Sequence, residues 1–172
     1  MTRAVAPGVA HGLEIGCAAG AFTERMARHC TSPHVVDLLQ EALDRCRARL
    51  GAQPHVRYSV LDLSAPPADS DTYDLVVLSE VTYYLGSRDA VEQAMRYVAR
   101  LVAPGGFLVF GSATDETVRR WKYQCGAETA LAAITDTLTI VDQVPCTGQT
   151  ADECALITRL VKPVAGAAAN RP

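Results

Sequence analysis

Short apolar runs ending in small or acidic residues alternate along this chain with segments whose apolar positions recur at helical spacing. Val9 to Ile15 runs into Gly16-Cys17-Ala18-Ala19-Gly20, which predicts a buried strand, a tight turn and the start of a helix carrying Phe22, Met26 and Cys30. His34-Val35-Val36-Asp37 predicts a second strand. Leu39, Leu43, Cys46 and Leu50 then mark one face of an amphipathic helix closed by Gly51. His55 to Val60 predicts a third strand, followed by a loop around Pro66-Pro67. Leu75-Val76-Val77-Leu78 is a continuous apolar run, as suits a central parallel strand covered on both faces. Val91, Met95, Val98 and Val102 mark a further helix stopped by Pro104-Gly105-Gly106, and Phe107 to Phe110 a fifth strand.

This alternation predicts an open α/β fold with a mostly parallel, Rossmann-like sheet. The end of the chain differs. Leu138 to Val144 and Cys154 to Leu160 are strand-like runs separated by the turn-rich Thr147-Gly148-Gln149-Thr150, too close for a crossover helix, and should pair as an antiparallel hairpin at the sheet edge. Residues 1–162 read as one domain. Residues 163–172, with an Ala-Gly-Ala-Ala-Ala-Asn run and little to bury, read as a frayed tail.

Composition narrows the functional classes. The 172 residues are 49% hydrophobic and 20% charged, enough for a core burying roughly 70% of the unfolded surface. A net charge of −3 gives no electrostatic footprint for nucleic acid or an anionic membrane, which favours a small-molecule partner. No apolar run approaches the roughly 20 residues of a membrane span, and no secretory leader pattern opens the chain. Six cysteines without a C-x-x-C spacing predict reduced packing thiols in a cytoplasmic protein, and no metal site.

Ligands of an open α/β sheet sit at the carboxyl ends of the strands. Glu14 and the loop from Gly16 to Gly20 follow strand one, Asp37 strand two, Asp62-Leu63 strand three, and Ser79-Glu80 strand four. The loop is not G-x-G-x-x-G, and Glu14 would repel a pyrophosphate but attract an ammonium. Successive carboxylates around a small-residue turn suit a ligand with an amino group, a ribose diol and an adenine but no phosphate. That ligand is S-adenosylmethionine.

Leu13 to Gly20 thereby resembles the first motif of class I S-adenosylmethionine-dependent methyltransferases, with Ala18 where that motif usually has its central glycine. The resemblance implies that Glu14, Gly16, Cys17, Ala18, Gly20 and Ser79 surround the methionine part and Asp37 takes the ribose hydroxyls. Leu38 would pack on the adenine, with Asp62 and the Leu63 amide at its amino edge. Further segments, Ser79 to Leu85, Ala103 to Ser112, Arg119-Arg120-Trp121 and Gly126 to Thr129, look like the nodulation protein S family, whose members N-methylate the deacetylated glucosamine of a chitooligosaccharide. By that resemblance Glu80, Tyr83 and Tyr84 are the candidate catalytic residues, and Trp121 and Glu128 bind the acceptor. The family's fold also carries helices ahead of strand one that close over the cofactor; here strand one falls within the first dozen residues, so the lid is expected to be absent.

The histidines sharpen the choice of acceptor. All four, His11, His29, His34 and His55, precede strand four, away from the segments expected to build the acceptor pocket. An alcohol needs a positioned base, whereas an amine needs its lone pair and correct orientation, so the sequence favours nitrogen. O-methylation of a hydroxyl, with Tyr or Glu as base, and a cofactor-binding but inactive subunit are the alternatives. The Asn/Asp-Pro-Pro-Tyr signature of enzymes acting on nucleic-acid bases does not follow strand four.

Overall fold

The computed structural model describes residues 9–68, 71–147, 150 and 153–164. Seven strands form one sheet in the order β3-β2-β1-β4-β5-β7-β6. β1 (Val9–Ile15), β2 (Cys30–Asp37), β3 (Arg57–Val60), β4 (Tyr73–Ser79) and β5 (Val102–Ala113) are parallel. β6 (Thr139–Thr147) and β7 (Cys154–Val161) form the expected antiparallel hairpin, with β7 against β5 and β6 at the edge. The turn expected around Gly148 and Gln149, residues 165–172 of the expected tail, and residues 1–8 ahead of β1 lie outside the described residues.

Helices cover both faces of the sheet. α1 (Thr23–Met26) and α2 (Gln40–Leu50) bury Met26, Leu43 and Cys46 against Val35 on one side. α3 (Arg88–Leu101) and α5 (Ala127–Ala132) cover Leu78, Leu108, Phe110 and Leu160 on the other. Burying each of these large side chains contributes about 1.5–3 kcal/mol, which makes this second layer the main core. A short 3-10 turn (Thr82–Leu85) and α4 (Asp115–Arg120) complete the elements.

Three boundaries differ from the apolar pattern, two of them because strand pairing overrides helical spacing. The helix expected through Phe22, Met26 and Cys30 is a single turn, since Cys30 already pairs with Val9 at the start of β2. Leu39 lies before α2 and is exposed. Val102, counted with the helical face, pairs with Tyr73 as the first residue of β5. The next pair is Leu75 with Phe107, so Ala103 to Gly106 bulge out of the ladder rather than ending a helix. A Cβ on Gly106 would stand within 3.0 Å of the Tyr73 and Asp74 carbonyls, which explains the glycine. α3 ends where the Lys162 ammonium donates to the carbonyls of Ala99, Arg100 and Val102, a cation at a helix C-terminus.

Candidate active site

β1 leads to α1 on one face while its neighbour β4 leads to α3 on the other, so the chain parts at the carboxyl ends of these two strands. The loop after β1 is tightly constrained. Gly16, Ala18 and Gly20 have φ values of 82°, 48° and 76°, the left-handed region that only glycine enters freely. A Cβ on Gly16 would meet Val81 Cγ2 at 2.4 Å, and one on Gly20 would meet Cys46 Sγ at 2.8 Å. Glycine therefore lets this loop lie against both the loop after β4 and helix α2.

Asp37 binds that loop to the end of β2, its two oxygens accepting from the backbone N–H groups of Ala18 (3.1 Å) and Leu39 (3.0 Å). Glu14 is buried in β1 and accepts a 2.5 Å hydrogen bond from the Thr23 hydroxyl. Burial raises its carboxyl to about 8, the Thr23 bond opposing the shift. Glu14, Gly16, Cys17, Ala18, Phe22 and Ser79 line part of a cavity of about 300 Å³.

Beside this cavity the ends of β2 and β3 expose apolar surface: Leu38 is 58% and Val60 54% accessible. Asp62 Oδ1 accepts from the Ser64 N–H (2.8 Å) and hydroxyl (2.6 Å), which hold its carboxyl below the usual range. The Leu63 side chain is in the main core.

The loop after β4 has a different chemistry. Glu80 has a left-handed backbone (φ 57°), and its N–H donates to Gly111 O on β5. Non-glycine residues held in that region cluster at functional sites. The buried Tyr83 hydroxyl donates to Glu80 Oε2 at 3.0 Å. Desolvation raises the Glu80 carboxyl, and burial drives the Tyr83 phenol well above its ordinary value, so Tyr83 is a neutral donor.

Around Tyr83 stand the rings of Tyr84 (4.6 Å between centroids), Tyr123 (5.3 Å) and Trp121 (6.0 Å, edge-on). Sequence reasoning missed Tyr123. The available signal was its position two residues after Trp121, where Lys122 (φ 67°) turns the chain. A cleft of about 490 Å³ runs along Glu80, Ala113, Thr117 and Trp121 to Glu153, Cys154 and Ala155. Glu128 does not line it. Instead Glu128 Oε2 accepts from the Asp115 N–H at the start of α4 (2.6 Å), while Asp115 accepts from Gly126 and Thr129, so this knot joins α4 to α5.

A third cavity, of about 460 Å³, lies under the β3–β4 connection, which carries no helix among the described residues. Its polar groups satisfy one another. His34 contacts Tyr73 Oη through Nδ1 and Ser59 Oγ through Nε2, each at 2.7 Å, and Arg57 pairs with Asp71 at 3.0 Å. Burial lowers His34 to about 4, leaving a neutral, structural histidine. Among the described residues no group of three or more His, Cys, Asp or Glu side chains could hold a metal ion, and no helix is long and apolar enough to cross a membrane.

The family model of Nodulation protein S (NodS) matches residues 3–168. The chain belongs to the Nodulation protein S family. It is 41% identical over 156 residues to Nodulation protein S of Rhizobium tropici, covering 91% of this chain and 65% of that protein. The Sinorhizobium fredii protein is 38% identical over 154 residues, with 90% and 71% covered. The chain thus spans about two thirds of the length of these relatives. The crystal structure of N-methyltransferase NodS from Bradyrhizobium japonicum WM9 in complex with S-adenosyl-l-homocysteine superposes with a TM-score of 0.85 at 42% identity, over 90% of this chain and 79% of that one. The seven-stranded sheet is accordingly the S-adenosylmethionine-dependent methyltransferase fold of the NodS enzymes.

Proposed function

We propose that this chain uses S-adenosylmethionine to methylate the nitrogen of a small-molecule amine, of which an amino sugar such as a deacetylated chitooligosaccharide end is the best-fitting class. Membership of the family and the similarity to an N-methyltransferase seen with S-adenosylhomocysteine support the reaction class. The residues present fit the cofactor. A buried carboxylate suits an ammonium, a loop that excludes Cβ atoms lets the backbone approach a ligand, and exposed leucine and valine at the strand ends suit an adenine face.

In this reading Glu14, Ser79 and the backbone of Gly16, Cys17, Ala18 and Gly20 hold the methionine part. Asp37 holds the ribose diol, Leu38 the adenine face, and Asp62 with the Leu63 amide its edge. When bound, the cofactor supplies an electrophilic methyl group on a sulfonium. Glu14, whose carboxyl is held up to about 8, would then give up its proton and ionise beside the ammonium. Thr23 fixes the carboxylate, and Asp37 keeps the Gly16–Gly20 loop closed on β2.

The observation that carries nitrogen as the acceptor is the Glu80–Tyr83 pair, joined by a 3.0 Å hydrogen bond at the head of a cleft lined by no histidine. An amine reaches the site as an ammonium and must lose a proton before its lone pair can react. Glu80, with its carboxyl raised, accepts that proton, and Tyr83 positions Glu80 by donating to Oε2. Tyr84 and Trp121 offer π faces to the cation. Glu128 supports the acceptor side through the joint it makes with α4. A cytoplasmic setting, where the six thiols stay reduced, goes with this reading.

The test is a mass-spectrometric screen of amino sugars, simple amines and matched alcohols with S-adenosylmethionine. Gain of one methyl group on amines alone is expected. Methylation confined to the alcohols would overturn the nitrogen assignment.

A further inference from the structure

The cleft that begins at Glu80 does not end on β4. In the sheet order β4-β5-β7 its floor is Ala113, the last residue of β5, and Ala155, which pairs with Ala113 across the β5–β7 ladder. Two alanines at this pair leave the space open between the walls, Thr117 and Trp121 of the α4 segment. Glu80 follows β4 on one side of β5, and Glu153 precedes β7 on the other. Adjacent strands lie about 4.8 Å apart, and the register sets Glu80 level with Ser112 but Glu153 beyond the Thr114–Cys154 contact, about three residues farther along, so the two glutamates arise from backbone roughly 14 Å from one another. Both side chains line the cleft, and their reach of a few ångströms from either end shortens that span to the order of one sugar ring with its substituents. None of the described residues lining the cleft is Lys or Arg.

Glu153 is held in place by its neighbour. The Cys154 N–H donates to Thr117 Oγ1 (3.0 Å), and the Cys154 carbonyl accepts from Thr114 N–H (2.8 Å), so the start of β7 is tied to the start of α4. The Glu153 carboxylate also accepts a 3.3 Å bond from the Thr150 N–H. Glu153 is partly buried, and an anionic group in this position makes the far end of the cleft attract a cation or a hydroxyl donor and repel a carboxylate.

Resting on the amine reading above, we propose that Glu153 is a specificity-determining residue that binds a second polar group of the acceptor, an ammonium or hydroxyl about one ring length from the nitrogen held at Glu80. The enzyme then selects amines that carry such a group over monofunctional amines of equal size, and it rejects acceptors with a carboxylate there.

The experiment compares glucosamine with cyclohexylamine as acceptors in the wild-type chain and in Glu153→Gln and Glu153→Asp. Glu153→Gln should raise KM for glucosamine about tenfold while changing kcat less than about twofold, because a charge-assisted hydrogen bond is lost. KM for cyclohexylamine and the affinity for S-adenosylhomocysteine should not move, and Glu153→Asp should recover part of the loss. Equal effects on both amines, or none on either, would overturn the proposal.

A second arm does not depend on turnover. Cys154 lines the same cleft and is exposed, so it can be alkylthiolated by cationic and anionic methanethiosulfonates. Its thiolate attacks the reagent's sulfenyl sulfur, a mixed disulfide forms, and methanesulfinate leaves. The cationic reagent should react faster in the wild type, and both Glu153→Gln and the sequence-distant Glu80→Gln should reduce that preference severalfold. If neither amine is methylated but the preference falls in both variants, the amine reading fails while the anionic, two-ended cleft stands. A preference unchanged by either variant overturns the cleft itself.

Discussion

The carboxyl ends of β1 and β4 sit side by side at the switch point, and each carries a glutamate, yet the two are built differently. Glu14 lies inside a strand, buried, bonded to the hydroxyl of Thr23 nine residues on, and backed by a loop whose left-handed residues admit almost no side chain. Glu80 lies just outside a strand, accessible, and is propped by one phenol, Tyr83, which packs against the rings of Trp121 and Tyr123 from one distant segment. In the reading proposed above, the first arrangement holds the cofactor through local backbone geometry. The second can change its ligand by changing Trp121, Tyr123 or Glu153 without disturbing the sheet. In that reading, the cofactor-holding and acceptor-selecting parts of the chemistry fall to neighbouring strand ends.

The largest expected effect separates the two glutamates by function. Glu80→Gln should lower kcat by about 10²-fold, the low end for loss of a general base, and leave S-adenosylhomocysteine affinity unchanged by calorimetry. An equal fall in cofactor affinity would erase the distinction between the loops.

Glu14→Gln should do the reverse. Loss of the ionised partner weakens S-adenosylhomocysteine by about 1.5–3 kcal/mol. The same change should stabilise the free protein above neutral pH. The folded carboxyl lies near 8, against an ordinary value of 4.5, so its favourable contribution is complete below about pH 4.5 and is lost as pH rises through 8. Thermal melts from pH 5 to 9 should show a decline in the wild type that the glutamine variant lacks, on the order of a few kcal/mol. Melts with identical pH dependence would mean that Glu14 is not desolvated.

This contrast also explains what was legible in the sequence. Glu14, Gly16, Gly20 and Asp37 are set by spacing within one strand-loop-strand unit, so their juxtaposition follows once β1 and β2 are recognised. Tyr123 meets Tyr83, and Glu153 lines the cleft beside α4 where Cys154 bonds Thr117, both contacts between residues far apart in the chain. The helix expected through Cys30 and the helical reading of Val102 failed for the same reason, since ladder pairing decided both. Glu128 was read from its neighbourhood alone, and nothing in the sequence announces that its oxygen meets the Asp115 N–H.

A smaller effect tests that joint. Glu128→Ala should lower stability by about 1–2 kcal/mol, as loss of a helix cap does, with acceptor KM changed less than about threefold. A large KM change at unaltered stability would return Glu128 to direct acceptor contact.

The smallest effect concerns Ala18. Its left-handed backbone costs roughly 1 kcal/mol that glycine would not incur, offset in part by glycine's greater unfolded-state entropy. Ala18→Gly should therefore change stability by less than about 1 kcal/mol and leave cofactor affinity intact. A loss of affinity would mean that the alanine methyl touches the ligand.

The most direct test of the account is calorimetry of S-adenosylhomocysteine binding at pH 7 in buffers of different ionisation enthalpy. With the free carboxyl raised to about 8, binding an ammonium beside it should release close to one proton per ligand, and affinity should weaken as pH falls below 8. The released proton should vanish in Glu14→Gln. Tight binding with no proton release, or the same release in the variant, would contradict the claim that this loop is built around a buried carboxylate awaiting a cation.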